Sequence, residues 1–272
     1  MRLGRLPVRY VLFAALLLVS GLLFSGCEVF SSPQNTFAPE GEVARMQRDL
    51  FVIVMIPALL IMIGVFAAMM YIVIRYRRRS DSDPIPAQVH GNMRFELTWT
   101  ILPTILLIGI AVPTLIGVVQ LGNQPGAEAL HVTVVGSQWQ WTYEYTDPEF
   151  LDPSGNPLTT TEFYIPVDRD IALEIEALDV NHSFWIPKIA GKTDAIPGRT
   201  NHMWFNADTP GTYEGQCAEF CGIGHPAMRA QLIALEPADF EAWAQEQMGG
   251  GPGPTGEPDG GTPDAPGPTA SP

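Results

Sequence analysis

Two long uncharged apolar stretches restrict what this chain can fold into more than any other feature. Leu50–Ile74 contains 25 consecutive residues and Leu97–Val119 contains 23, without a single Asp, Glu, Lys or Arg. A helix rises about 1.5 Å per residue, so each stretch can cross about 30 Å of hydrocarbon with some tilt. Three prolines interrupt them, which a membrane helix tolerates where neighbouring helices satisfy the freed carbonyls. We predict transmembrane helices at residues 48–75 and 97–120, in preference to two buried helices of a water-soluble protein.

The segment between the two predicted helices, residues 76–96, begins with a strongly basic cluster. Arg75-Tyr76-Arg77-Arg78-Arg79 brings four positive charges within five positions. Such clusters stay on the cytoplasmic side of membrane helices. We therefore expect this loop in the cytoplasm and both ends of the mature chain on the other side of the membrane.

The N-terminus has the pattern of a secretory signal at residues 1–26. Three arginines within the first nine residues precede Val11–Phe24, a 14-residue apolar run that is too short to span a bilayer. Leu23–Cys27 resembles a bacterial lipoprotein cleavage box, with Phe24 where Leu is usual, and predicts a lipid on Cys27. The alternative is plain cleavage that leaves an ordinary free Cys. Residues 27–47 would then form an extracytoplasmic N-terminal segment.

The pattern changes after a linker at residues 121–129. From residue 130 to 248, short alternating segments are separated by turn signals such as Asp152-Pro153-Ser154-Gly155-Asn156. This spacing is typical of a small all-β sandwich or Greek-key barrel, closed by a short helix around Asp239–Gln247. The predicted strands are His131–Val135, Trp139–Tyr145, Ile171–Leu178, Met203–Phe205 and Ala230–Leu235.

Charge divides the chain at nearly the same position. Residues 1–127 contain 10 Arg and 7 acidic residues, a net charge of +3, whereas residues 128–272 contain 5 Lys+Arg and 22 acidic residues, a net charge of −17. An acidic domain excludes a nucleic-acid binder, which needs a basic surface. Residues 249–272 contain 8 Gly and 7 Pro in 24 positions, so we predict a disordered tail.

One twelve-residue segment, Cys217–Met228, concentrates residues that bind soft metals. It contains two Cys, one His and one Met together with further Gly and Pro, a composition suited to a loop that wraps around a point. Thiolate, imidazole and thioether together favour copper over magnesium, calcium or structural zinc. His182, at the end of a predicted strand, offers a second imidazole.

Two thiolates four residues apart predict more than a mononuclear copper site, which needs only one Cys. Cys217 and Cys221 can bridge two coppers, each of which then takes one His, while Met228 serves one metal and a backbone carbonyl the other. The alternative is a Cys217–Cys221 disulfide, which persists in exported domains. A structural disulfide, however, would not need His182 or His225. We expect His90, His131 and His202 to be ordinary surface or interface residues.

Four features carry a resemblance to a known protein family: the loop Cys-x-Glu-x-Cys-Gly-x-x-His-x-x-Met, the segment around His182, Lys192–Arg199 and the helix hairpin. Through them the chain resembles subunit II of haem-copper cytochrome c oxidase over about residues 45–240. The resemblance implies a cupredoxin-like domain with a binuclear copper A centre on the extracytoplasmic side of a bacterial plasma membrane. Electrons would come from cytochrome c or a small copper protein and pass to haem in subunit I, where oxygen is reduced and protons are pumped. Its implied copper ligands are His182, Cys217, Cys221, His225, Met228 and the carbonyl of Glu219.

The same resemblance implies three further roles. The Glu219 side chain would also bind Mg or Mn at the subunit I interface, Glu96 would open a proton path, and Trp139 would receive the electron. The alternatives are that Glu219 is a solvated loop carboxylate, that Glu96 is an interfacial carboxylate without function, and that Trp139 is a core residue. As strand residues, Trp139 and Trp141 should share one face.

The donor surface should differ from the family pattern, because Ser137 stands where His is usual and Gln140 where an aromatic residue is usual. The acidic domain would steer a basic donor. Its candidate docking residues are Glu144, Asp147, Glu149 and Asp179.

Three competing functions share parts of the pattern. A membrane-anchored copper chaperone or thiol oxidoreductase also uses a Cys-x-x-x-Cys pair, but a thioredoxin-like scaffold would need alternating β and α elements. A quinol oxidase subunit keeps the helices and the sandwich but lacks the copper ligands. Nitrous oxide reductase shares the copper loop, yet the two spans and Glu96 favour the oxidase.

Overall fold

The computed structural model describes residues 17, 20, 21, 32–78, 80 and 91–249. The predictions for the signal segment, lipidated Cys27, His90 and the Gly/Pro-rich tail therefore lie outside the described residues, apart from isolated positions.

Two long helices carry the apolar stretches. Helix α1 runs from Glu42 to Arg75 and helix α2 from Met93 to Gly122, and both are long and apolar enough to cross a membrane. Helix α1 begins six residues before the predicted span of 48–75 and ends with it, and helix α2 extends beyond the predicted span of 97–120 by four residues at its start and two at its end. At the start of α2 the side chain of Asn92 accepts hydrogen bonds from the backbone N–H groups of Arg94 and Phe95, which caps the helix. The two helices contact each other, while most of their apolar side chains are exposed.

Within the described residues, ten strands follow and form two five-stranded sheets, which confirms the predicted β-sandwich. The first sheet has the order β3-β2-β1-β5-β8 and the second β4-β10-β9-β6-β7. Strands distant in sequence lie side by side, and the pairs β1/β5 and β4/β10 are parallel. The strands are Leu130–Ser137 (β1), Gln140–Tyr145 (β2), Leu158–Thr160 (β3), Phe163–Pro166 (β4), Ile171–Ala177 (β5), His182–Trp185 (β6), Thr193–Ala195 (β7), Asn201–Phe205 (β8), Gly211–Cys217 (β9) and Arg229–Leu235 (β10).

The core lies between the two sheets. In β5, Ile171, Leu173 and Ile175 are at most 1% exposed, as their alternation predicted. Aromatic rings fill the space beside them, with Tyr143 stacked on Phe163 at 4.5 Å between ring centroids. Burying each of these large side chains stabilises the fold by about 1.5–3 kcal/mol, so the sandwich holds the site on a rigid frame.

Two helices are attached to this sandwich. The short helix α3, Pro237–Met248, packs Trp243 against Tyr164 at 4.5 Å between ring centroids. The first turns of α1 also dock on the sandwich, since Glu42 N donates to Asn206 Oδ1 and Arg45 forms an ion pair with Asp208. These contacts join the start of the first membrane helix to the β-domain.

The predicted second strand is wrong at its first residue. Strand β2 begins at Gln140, and Trp139 lies in the turn between β1 and β2. Trp141 is a core residue at 3% exposure, whereas Trp139 is 40% exposed. The two tryptophans therefore do not share a buried face, because the alternation of a strand does not extend into the turn.

Candidate metal centre

Strands β6 and β9 of the second sheet carry the candidate metal ligands to one end of the sandwich. His182 is the first residue of β6 and Cys217 the last residue of β9, and the two strands pair antiparallel. Cys217 N donates to Met228 O at 2.9 Å, which closes the base of the loop between β9 and β10. Ala218 N donates to Ser183 O at 2.9 Å and ties the same loop to β6.

The five predicted ligand side chains converge at this end of the sandwich. The two sulfurs, Cys217 Sγ and Cys221 Sγ, lie 3.9 Å apart. Each faces one imidazole, since His182 Nδ1 is 3.9 Å from Cys217 Sγ and His225 Nδ1 is 3.7 Å from Cys221 Sγ. Met228 Sδ lies 3.8 Å from Cys221 Sγ. The centre is therefore a pair of thiols with an imidazole next to each.

The Glu219 carbonyl joins the same cluster, whereas its side chain does not. Glu219 O lies 3.2 Å from Cys217 Sγ, while the residue itself is exposed. Its carboxylate is thus available to a second binding partner on the surface. The structure brings the carbonyl, and not the carboxylate, to the sulfurs.

Nearly all of the cluster is shielded from water. His182 is fully buried, and Cys217, Cys221 and Met228 are each at most 4% exposed. Sulfur and imidazole donors at these distances suit soft metals, and the ligand atoms of His182, Cys217 and Cys221 all lie within 4.8 Å of one another. The donor set fits a copper pair, and magnesium or calcium would require oxygen ligands instead.

The two cysteines are free thiols in the described structure. Their sulfurs are 3.9 Å apart, far beyond the S–S bond length of about 2.05 Å, so the alternative disulfide is not formed. Burial, followed by the nearby Cys217, raises the pKa of Cys221 to about 11. The second thiolate therefore forms readily only when a cation compensates the charge.

Asp179 fixes the orientation of His182. Asp179 Oδ1 lies 3.0 Å from His182 Nε2, which leaves Nδ1 directed at Cys217. Burial alone would raise the pKa of Asp179, but hydrogen bonds from His182 and from the N–H groups of Gln138 and Val180 lower it overall. A carboxylate that holds the outer nitrogen of a ligating histidine is a common support for metal sites.

The turn between β1 and β2 lies directly over the loop. The carbonyl of Cys221 accepts two hydrogen bonds, from Gln138 Nε2 at 2.7 Å and from Trp139 Nε1 at 3.2 Å. The indole also lies against backbone, since a Cβ added at Gly224 would be 2.4 Å from Trp139 Cδ2. The side chain of Trp139 is therefore exposed to solvent on one side and contacts the loop between β9 and β10 on the other.

Sequence reasoning missed the contacts of Asp179 and Gln138 with the centre. Asp179 was expected only as part of a docking surface, although its position three residues before His182 was a usable signal. Gln138 lies in the turn between β1 and β2, and nothing in the sequence indicated that its side chain reaches Cys221 in the loop between β9 and β10.

Two of the other three candidate docking acids have partners of their own. Asp147 binds the ring of His131 at 2.9 Å, and Arg169 lies 3.8 Å from Asp147 and 3.5 Å from Glu149. The side chain of Glu144 has no hydrogen bond or ion pair within the described part of the chain, and the residue is half-buried. His202 is exposed on β8, in agreement with the expectation of an ordinary surface residue.

Glu96 lies in the first turn of α2, away from the metal cluster. Its Oε1 accepts a hydrogen bond from Asn92 N at 3.0 Å, which completes the cap of the helix. The side chain thus has a local structural role in addition to any role in proton uptake.

Comparisons with known proteins cover both parts of the chain. A profile described as the cytochrome c oxidase subunit II transmembrane domain matches residues 34–116, and one described as its periplasmic domain matches residues 130–235. Cytochrome c oxidase subunit 2 of Alkalihalophilus pseudofirmus is 39% identical over 82% of this chain and 65% of that protein. The chain thus spans slightly less than two thirds of that relative's length.

Two Bacillus subtilis proteins are also similar to this chain. Cytochrome c oxidase subunit 2 is 32% identical over 85% of this chain and 67% of that protein. Quinol oxidase subunit 2 is 32% identical over 89% of this chain and 74% of that protein. Overall similarity therefore does not separate the two kinds of oxidase, and the residues of the site must do so.

Proposed function

Because the chain belongs to the cytochrome c oxidase subunit II family, we propose that its sandwich holds a binuclear copper A centre that receives electrons from cytochrome c or a small copper protein. The electrons would pass to haem in subunit I, where oxygen is reduced to water and protons are translocated. This chain alone would not reduce oxygen.

The observation that carries the proposal is the arrangement of two sulfurs, each next to its own imidazole. Cys217 and Cys221 would bridge two coppers, with His182 and His225 as one strong ligand each, and Met228 and the Glu219 carbonyl as weaker ligands. Such a pair of coppers supplies a one-electron carrier whose charge is shared over two metals. The residues contribute burial and a fixed geometry, both of which favour electron transfer over bond-making.

Trp139 is the proposed point at which the electron enters. It is 40% exposed to a donor, and its indole N–H donates to the carbonyl of the bridging ligand Cys221. A donor docked on the indole would thus be connected to the centre through one hydrogen bond. Exposure of the ring and contact with the loop support this role over that of a core residue.

Subunit I and the remaining oxidase subunits are the proposed partners in the membrane. The exposed Glu219 carboxylate would bind Mg or Mn at the interface with subunit I, and Glu96 at the start of α2 would open the proton path. We propose that the basic cluster after α1 is cytoplasmic and the copper domain extracytoplasmic. A lipid on Cys27 would add a second membrane anchor, and the mass of the mature N-terminus tests it.

The copper ligands argue against the competing functions. A quinol oxidase subunit lacks the ligand set, whereas all five side chains converge here. A thioredoxin-like oxidoreductase needs alternating β and α elements, and the described domain has two β-sheets with one short helix after them. The two apolar helices and Glu96 favour the oxidase over nitrous oxide reductase.

Metal content and electron paramagnetic resonance test this function on the full chain in detergent. We expect two coppers per chain, with the unpaired electron coupled to both nuclei. His182→Asn should abolish this signal, and His202→Asn, which changes an exposed histidine on β8, should retain it. One copper, no copper or an intact Cys217–Cys221 disulfide in the metallated protein would refute the proposal.

A further inference from the structure

Gln138 connects two segments that carry different parts of the metal centre. It lies in the turn between β1 and β2, and its backbone N–H donates to Asp179 Oδ2 at 2.8 Å. Its side-chain Nε2 donates to Cys221 O at 2.7 Å. One residue is thus bonded to the segment before β6 and to the loop after β9.

Both acceptors lie next to proposed copper ligands. Asp179 holds His182 Nε2 at 3.0 Å, and the carbonyl of Cys221 belongs to a bridging cysteine. A displacement of Gln138 would therefore change the position of His182 relative to Cys221. No backbone hydrogen bond in the described structure joins Asp179 directly to Cys221.

The Gln138 amide fits closely against the loop. A Cβ added at Gly222 would lie 3.0 Å from Gln138 Nε2, and Gly222 has a φ of +115°, which side chains rarely adopt. The carbonyl of Cys221 has two lone pairs, which Gln138 and Trp139 occupy together. Without the amide, this carbonyl would keep only the longer bond from the indole.

We propose that Gln138 is a positioning residue that fixes the bridging Cys221 relative to His182 and thereby sets the geometry of the metal pair. The proposal rests on the copper function proposed above. Gln138 is not itself proposed as a copper ligand. It acts through the carbonyl of Cys221 and the carboxylate of Asp179.

Two substitutions remove the side-chain donor and leave the backbone bond to Asp179. Gln138→Met keeps the length of the side chain, and Gln138→Glu directs a negative oxygen at the Cys221 carbonyl. The matched control is Gln140→Met, which alters an exposed glutamine two residues along the chain. All variants are made in the full chain.

The first measurement is hydrogen exchange of the metal-free chain, which does not depend on copper. Gln138 itself is exposed, but its bond to Cys221 O is partly buried, and loss of this bond should speed exchange of the amides at residues 219–225 by about tenfold in both Gln138 variants. Gln140→Met should leave the exchange rate of these amides unchanged. Unchanged exchange in the Gln138 variants would overturn the proposal.

The second measurement uses the copper-loaded chain. We expect altered copper hyperfine splitting and a lower reduction potential in the Gln138 variants, because a donor dipole near the centre is lost, while the melting temperature of the β-domain stays that of the control. A lower melting temperature with an unchanged copper spectrum would show that Gln138 stabilises the domain without setting the geometry of the metal pair, and would contradict the proposal. If the unmodified chain itself fails to bind two coppers, the proposed function fails, and the exchange experiment still tests the contact.

Discussion

Asp179 Oδ1 lies 3.0 Å from Nε2 of His182, on the side of the ring opposite the sulfur of Cys217. The carboxylate therefore selects the nitrogen that faces the metal, and it also restrains rotation of the ring. Because His182 is fully buried, no solvent molecule can easily replace this partner.

Asp179→Ala should weaken copper binding by roughly 10–100-fold, the usual effect of removing such a partner of a ligating histidine. Asp179→Asn should weaken it less, since an amide oxygen can still accept the hydrogen bond. Competition with a copper chelator measures both affinities. Glu241→Gln removes one negative charge from α3 and serves as the control. Equal affinities in Asp179→Ala and the control would show that Asp179 does not support the site.

The contrast between Asp179 and the ligands illustrates what this sequence could predict. The proposed ligands of the loop, Cys217, Cys221, His225 and Met228, were predicted from residue type and spacing, because thiolate, imidazole and thioether within one short loop have few other uses. Asp179 contacts His182 within one short segment, whereas Gln138 contacts Cys221 in a different segment of the chain, and both residue types occur on any surface. Only the fold brings them to the loop.

The strands likewise divide into those that the sequence predicts and those that it does not. The β5 segment was predicted because Ile171, Leu173 and Ile175 alternate over a long strand. Strands β3 and β7 have three residues each, too few for a periodic pattern. Trp139 was assigned to a strand because its neighbours have the composition of one, whereas the turn to β2 includes it.

Trp139→Phe should retain both coppers but slow their reduction by the donor by roughly tenfold or more, equivalent to about 1.4 kcal/mol of activation free energy. Phenylalanine keeps an apolar ring but lacks the N–H that reaches Cys221 O. Stopped-flow reduction with cytochrome c measures the rate. Trp204→Phe, at a half-buried tryptophan of β8, is the control. Reduction at the unmodified rate would refute electron entry at Trp139.

Donor association should slow as ionic strength increases, because residues 128–272 carry a net charge of −17. Attraction of a basic donor by such a field raises association rates by about 10–1,000-fold at low salt. The Glu144→Gln variant should lower the rate at low salt and have little effect at high salt, where charges are screened. A rate that is independent of salt would exclude electrostatic steering.

Glu96→Gln should lower turnover of the assembled oxidase and leave the copper spectrum intact. The amide oxygen of Gln can still accept the hydrogen bond from Asn92 N, so the cap of α2 is retained while the proton carrier is lost. Glu42→Gln, in the first turn of α1, is the matched control. If Glu96→Gln and the control turn over at the same rate, Glu96 has only the capping role.

Gly224→Ala should displace the Trp139 indole without removing either residue of the contact. The new Cβ would lie 2.4 Å from Cδ2 and 2.6 Å from Cγ of the ring, so the indole must move away from the loop. The backbone at Gly224 has a φ of −86°, outside the left-handed region that favours glycine, so we expect the effect to come mainly from the ring.

We expect this variant to bind two coppers, because Gly224 supplies no ligand, and to be reduced by the donor several-fold more slowly. A change of Trp fluorescence that is absent from the Trp139→Phe, Gly224→Ala double variant would assign the displacement to Trp139. Gly126→Ala is the control, since an added Cβ there meets nothing within 4 Å. If the donor reduces Gly224→Ala as fast as the control although the fluorescence has changed, then the close contact between Trp139 and the loop does not carry the electron.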